Sequence, residues 1–184
     1  AAGPMNRFML FKDVPRTFDA WDIDSCYEQE LIGYGSDAEI HMLENNPYRC
    51  TIQIQKKIGN SFIQQIVSLE SGSIRLEFDT TVDWQELHRL LKVSFPVDVY
   101  AEEAINVIQF GYVKRPTHRS RQYDKDRFEV CNHRYTALSD EGHGAAVLND
   151  CKYGVSVKGN SINLTLLRAE GLSLIHISEP TRLD

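Results

Sequence analysis

The sequence predicts a mostly β protein, a twisted antiparallel β-sandwich joined by long loops. Three observations predict it. Apolar and polar residues alternate with a period of two through the middle of the chain, short polar breaks separate the alternating runs at hairpin spacing, and a single short segment carries helical spacing.

In chain order, the first strong alternation runs from Tyr48 to Ile58, with Cys50, Ile52 and Ile54 on one face and Thr51, Gln53 and Gln55 on the other. Gly59-Asn60 breaks it, and Phe62 to Val67 returns as the second arm of a hairpin. Ile74, Leu76 and Phe78 then alternate with Arg75, Glu77 and Asp79, so an apolar-inward strand is expected. Asp83-Trp84-Gln85-Glu86 has the form of a capping box, followed by Leu87, Leu90 and Leu91 at helical spacing. That predicts a turn or two of helix, ended by extended chain at Val93–Val97. Near the end, Val155 and Val157 face Ile162, Leu164 and Leu166 across Lys158-Gly159-Asn160-Ser161, another hairpin. No internal repeat or low-complexity linker interrupts this pattern.

Composition bounds the function. The 184 residues are 42% hydrophobic, 10% aromatic and 25% charged, which excludes disorder, collagen and coiled coil. Twenty-six acidic against 20 basic side chains give a formal charge of −6, and a nucleic-acid partner needs the opposite balance. No apolar run approaches the ~20 residues of a membrane helix, so no membrane partner is expected. The first residues lack the basic and uninterrupted apolar regions of a signal peptide. Cys26, Cys50, Cys131 and Cys151 form no CxxC pair. Reduced, mostly buried thiols in a cytoplasmic protein are therefore expected. Because the chain opens without a domain-starting pattern and closes in a stretch unlike the rest, a fragment is expected.

Local motifs do not support catalysis. The six histidines show no i, i+4 pair and no His-x-Asp, and GxSxG and P-loop patterns are missing. A metal set spanning distant segments, His118 with Asp124 or Asp150, stays open beside the simpler reading of solvated histidines. Cys131 and His133 are not read as a catalytic Cys–His pair. Gly142-His143-Gly144 is a weak signal. Asp22 and Asp24 share a face if extended, either as a glycosidase-like pair or as solvated acids beside packing from Trp21 and Ile23. From Lys114 to Arg134 seven basic residues interleave with Asp124, Asp126, Glu129, His118, Tyr123 and His133. This is either a binding loop for a hydroxyl-rich or anionic ligand or a surface loop with internal ion pairs.

Longer blocks carry a resemblance. Arg7–Pro15 (RFMLFKDVP) and Phe18–Asp24 (FDAWDID) are followed by Phe78–Glu86 (FDTTVDWQE) and Leu90–Val97 (LLKVSFPV). Gln109–Tyr112, Arg115–His118 (RPTH), Arg127–Val130 (RFEV) and Leu148–Gly154 (LNDCKYG) come next. In order and approximate spacing, from about Asn6 to Ala169, these resemble the C-terminal β-rich region of the cytosolic-type branch of glycoside hydrolase family 38 α-mannosidases. The resemblance implies part of a galactose-mutarotase-like supersandwich. It also implies a retaining, zinc-dependent parent enzyme that hydrolyses terminal non-reducing α-D-mannose, cytoplasmic and possibly homo-oligomeric. The zinc ligands and the nucleophile are implied to lie in an N-terminal catalytic barrel, so no catalytic or metal residue is assigned here and the isolated piece is expected to be inactive. Its expected contribution is to support the barrel, with an exposed apolar patch on the isolated piece, and to lend loops to a mannose-containing oligosaccharide. Asp150 and Lys152 are the candidate sugar contacts, and His118 or Tyr123 the candidate lining of a further subsite. A stand-alone, non-catalytic carbohydrate-binding or scaffolding sandwich is the alternative. Arg119–Tyr123 and Tyr135 depart from the family pattern, which bears on subsite preference. The tail departs fully. Residues 1–169 are expected to form the β region, and 170–184 to be a non-native tail resembling sequencing-adapter read-through.

Overall fold

The computed structural model describes residues 3–17 and 22–169. The expectations for Trp21 and for the tail 170–184 fall outside them. The order of elements is β1 (Arg7–Lys12), a short 3₁₀ helix (Ser25–Gln29), β2 (Leu31–Gly33), β3 (Glu39–Asn45), β4 (Arg49–Ile58), β5 (Ser61–Glu70), β6 (Leu76–Asp83) and β7 (Arg89–Pro96). Then follow β8 (Glu103–Ile108), β9 (Gly111–Pro116), α1 (Gln122–Asp126), β10 (Val130–Cys131), β11 (Tyr135–Ser139), β12 (Gly144–Leu148), β13 (Gly154–Lys158) and β14 (Ser161–Ala169). They build one six-stranded sheet, β10-β13-β14-β7-β1-β2, and two four-stranded sheets, β12-β11-β8-β9 and β3-β4-β5-β6. All pairings are antiparallel, as the alternation requires. The predicted mostly β, antiparallel sandwich is the observed architecture.

The six-stranded sheet carries core on both faces because β7 is covered on both sides. Leu91, Val93 and Phe95 pack with Phe8, Leu10, Ile58, Ile63 and Leu164. On the other face Leu90 joins Phe11 and Tyr27. A third cluster, with Val99, Ala104, Leu138, Val155 and Ile162, ties this sheet to β8 and β11. A strand sandwiched in this way reads as a near-continuous apolar run, and LLKVSFP is one, interrupted by Lys92 and Ser94.

Both predicted hairpins form. β4 and β5 close through Ile58↔Ser61, with Gly59 at φ +61, a left-handed value that a side chain strains to adopt. β13 and β14 close through Lys158↔Ser161, with Val157↔Ile162 and Val155↔Leu164 in register. The predicted helix after Asp83 does not form. Glu86 turns its carboxylate to the Asn60 amide of the neighbouring hairpin, and His88 takes φ +53 immediately before β7 begins. Tertiary bonding thus overrides the local capping pattern.

Two other expectations also need correction. The cysteines are free but not mostly buried: Cys26, Cys131 and Cys151 are exposed and Cys50 is half-buried. The exposed three sit in the 3₁₀ helix, the edge strand β10 and a loop, where no sheet face covers them. The apolar face of β6 is likewise not inward: Leu76 and Phe78 stay 49% and 39% exposed, and Ile74 lies outside the strand in solvent. Register places Phe78 beside Val67, Ile52 and Met42, so one end of the β3–β6 sheet presents an apolar face that the described residues leave half open.

Candidate functional site

The loop between β12 and β13 is built by two asparagines. Asn149 donates from its backbone to the Arg134 carbonyl at 2.8 Å and from Nδ2 to Oδ1 of Asn132 at 2.5 Å. Its own Oδ1 accepts the Lys152 amide at 3.2 Å, the side-chain-closed turn that asparagine forms readily. Asn132 is fully buried, and its amide donates to the Tyr153 carbonyl at 2.9 Å. The Tyr153 ring lies 5.3 Å from that of His133. The result is a pinned turn that leaves Asp150 and Cys151 exposed and Lys152 half-buried.

Asn149, Asp150, Cys151 and Lys152 line a groove of about 1090 Å³ together with apolar Phe78, Val82, Val93, Phe95, Val147 and Leu164 and with polar Gln65, Arg75, Asp79 and Thr80. Asp150 beside the Cys151 thiol pushes it up, so the thiol is not an activated nucleophile. A carboxylate and an ammonium on one fixed turn can accept from and donate to neighbouring hydroxyls, the chemistry of sugar recognition.

His118 and Tyr123 are elsewhere. They stand between β9 and the end of α1, and neither lines the groove. His118 Nδ1 lies 3.0 Å from the Ser120 hydroxyl, and the Arg127 guanidinium sits 4.6 Å over the Tyr123 ring. The basic segment around them is engaged within the chain. Arg119 makes a two-pronged pair with Glu28 at 2.7 and 2.6 Å, and Lys114 reaches Glu103 at 3.5 Å. Both of these ion pairs reach acids outside the segment, Glu28 and Glu103.

The other open constellations resolve. Asp22 accepts the Ile23 amide at 2.9 Å and Asp24 pairs with Arg16 at 3.7 Å, so both acids are locally engaged. Among the described residues no three His, Cys, Asp or Glu side chains converge on a metal position. Asp124 instead accepts the Arg121 amide at the start of α1. The described residues thus assemble no donor set that fits a zinc ion.

Behind the loop lies a polar cluster that the motif search missed. Lys92, 1% exposed, pairs directly with Glu129 and donates to the Tyr27 hydroxyl at 3.1 Å and the Ser156 hydroxyl at 3.0 Å. Tyr27 donates in turn to Glu129 at 2.6 Å. Burial pushes the Lys92 ammonium down to about 7, against the opposing pull of Glu28. Burial likewise pushes the Tyr27 phenol up, helped by Glu28. The signal was present: a lone lysine within an apolar strand implies a buried charge that needs a partner. Largely buried, this cluster fastens the 3₁₀ helix, β7, β13 and the segment before β10 together.

The three-sheet sandwich has known relatives. Residues 1–171 match the model for the glycosyl hydrolases family 38 C-terminal domain. The chain belongs to family 38. It is 42% identical over 166 residues to alpha-mannosidase 2C1 of Homo sapiens, and 31% identical over 172 residues to alpha-mannosidase of Saccharomyces cerevisiae. In each case the match covers 89% of this chain and 16% of the relative, so the chain spans about a sixth of their length. A family 38 protein of Enterococcus faecalis shares the fold with TM-score 0.76 at 18% identity, covering 91% of this chain and 23% of that one. Two blocks that carry the resemblance, Leu90–Val97 and Arg127–Val130, meet at the Lys92–Glu129 pair.

Proposed function

We propose that this chain is the C-terminal β region of a retaining α-mannosidase that removes terminal non-reducing α-D-mannose, and that its residues 1–169 support a catalytic part carried elsewhere in the polypeptide. The observation that carries this reading is the family match over residues 1–171 together with 42% identity to an alpha-mannosidase. Zinc and the carboxylate nucleophile belong, in this reading, to the remaining five-sixths. There the metal would supply Lewis-acid help and the carboxylate would act as nucleophile in a retaining hydrolysis.

Within that enzyme, the Asn149–Tyr153 turn lends Asp150 and Lys152 to the hydroxyls of a mannose-containing oligosaccharide. His118 and Tyr123 serve a separate, outer subsite. The pinned turn supports the first assignment, since a group held by buried asparagines loses little freedom on binding. Free cysteines support a reducing, cytoplasmic setting. Residues 170–184 stand outside the working domain, and the parent forms homo-oligomers.

The test is to express the complete reading frame and assay an aryl α-mannoside with and without a zinc chelator. Zinc-dependent turnover by the complete protein and none by this chain alone is expected. Turnover by the chain alone, or none by the complete protein, overturns the reading. A complete frame that binds mannose without turnover supports the non-catalytic alternative.

A further inference from the structure

The turn that joins β8 to β9 holds a residue that the turn does not need. Ile108 pairs with Gly111, so Gln109 and Phe110 form the two-residue tip of a hairpin. Phe110 sits at φ +62, in the left-handed region where glycine or asparagine closes a turn with less strain. Its ring is also fully exposed. Backbone strain and a ring bare to water both disfavour phenylalanine here, so its reason lies in a contact outside the described residues.

Strand register places this tip at the same end of its sheet as the Asn149–Tyr153 turn. In the order β12-β11-β8-β9, Leu148 pairs with Tyr135, Thr136 with Asn106, and Val107 with Tyr112. Thr136 and Asn106 are buried, so their strand neighbours Tyr135 and Val107 turn to the outer face. Cross-strand partners share a face, which adds Leu148 and Tyr112 to the same row. Tyr112, Tyr135 and Leu148 are all exposed. Backbone bonds tie the row to the turn: the His133 amide donates to the Val107 carbonyl and the Asn149 amide to the Arg134 carbonyl, each at 2.8 Å. His118 and Tyr123 follow the other end of β9 and are not part of this row.

We propose that Phe110, flanked by Tyr112 and Tyr135, stacks on an outlying sugar ring of the oligosaccharide whose nearer hydroxyls meet Asp150 and Lys152. This rests on the reading that the Asn149–Tyr153 turn faces a mannose-containing oligosaccharide. The hairpin tip lies two to three strands from β12, roughly 10–15 Å at the usual strand spacing, which a single ring does not span and a short oligosaccharide does. The C–H face of a pyranose lies against the negative face of an aromatic ring while the sugar hydroxyls keep their water. A protein partner fits less well. Three aromatic side chains at ~150–250 Å² each fall short of the ~800 Å² that a stable protein interface takes from each partner.

The test is Phe110→Gly in the complete polypeptide, which removes the ring and relieves the left-handed strain. With an α-linked mannopentaose as substrate, KM is expected to rise about five-fold, the size of one aromatic stack. An aryl α-mannoside has one sugar ring and is expected to keep its KM. The melting temperature is expected to stay level or rise. An unchanged mannopentaose KM, or equal rises for both substrates, overturns the proposal. A fall in melting temperature also overturns it, because the ring then packs against the rest of the polypeptide. Calorimetric titration with mannopentaose reads binding without turnover. Weaker binding by the variant of an inactive protein removes the proposed activity and supports the stack. Equal binding by both proteins overturns the stack and leaves the turn as a sugar contact, and no binding by either overturns both.

Discussion

Lys92 and Glu129, 37 residues apart in sequence, pair inside the protein where Tyr27 and Ser156 complete the ammonium's hydrogen bonds. Such a pair repays desolvation only while both partners stay. At pH 6, Glu129→Leu leaves the ammonium alone in the core and is expected to cost about 3–5 kcal/mol. The double variant Lys92→Met/Glu129→Leu is expected to recover most of that loss. Urea denaturation of the two singles and the double measures it, and strictly additive losses contradict the pairing.

The same cluster sets a pH response. Lys92 titrates near 7 in the folded protein against 10.5 for an unperturbed lysine. Between those values the unfolded chain holds a proton that the folded protein has released. The contribution of this group to stability therefore rises with pH from about 7 to about 10.5, and is at its least favourable below 7. Subtracting the Lys92→Met profile from that of the unsubstituted protein isolates it from other groups facing the site, Glu28, Tyr27 and Glu129. A difference that is flat across this window refutes the assignment.

Hairpins were the most legible part of the sequence, because Gly59-Asn60 and Lys158–Ser161 encode their turns locally and their arms alternate. The helix expected after Asp83 failed because Glu86 finds its partner in Asn60, 26 residues away, a bond that local spacing does not reveal. The cysteines were misjudged for a similar reason: composition predicts average burial, whereas Cys131 happens to lie on an edge strand. Of the candidate loop, the Leu148–Gly154 block was legible through the resemblance that also made Asp150 and Lys152 candidates. Asn132 and Asn149, which pin them, carry no spacing signal, since their bond joins two segments across the end of a sheet.

Arg119 and Glu28 illustrate a pair of lower value. Their two short contacts are well aligned, and the Glu28 carboxylate raises the Arg119 guanidinium, but both side chains remain about a fifth exposed to water. Arg119→Ala is expected to cost only about 1 kcal/mol at low salt and less at 1 M salt. Thermal melts at the two ionic strengths check this. A loss that ignores salt points to lost packing of the arginine stem instead.

The asparagine pair gives the sharpest separation of structure from binding. Asn149→Ala removes the acceptor of the Lys152 amide and leaves the Asn132 carbonyl oxygen buried without its donor. An unsatisfied buried group costs about 1–3 kcal/mol, so a fall in stability of that size is expected on urea denaturation. If the turn presents Asp150 and Lys152 to the sugar as proposed, freeing it is expected to raise KM for an aryl α-mannoside several-fold in the complete protein. Asp150→Asn and Lys152→Met keep the turn closed, because its bonds come from the backbone and Asn149. They are therefore expected to raise KM with little change in stability. If either variant lowers stability as far as Asn149→Ala does while leaving KM unchanged, the side chain serves the fold and not the sugar.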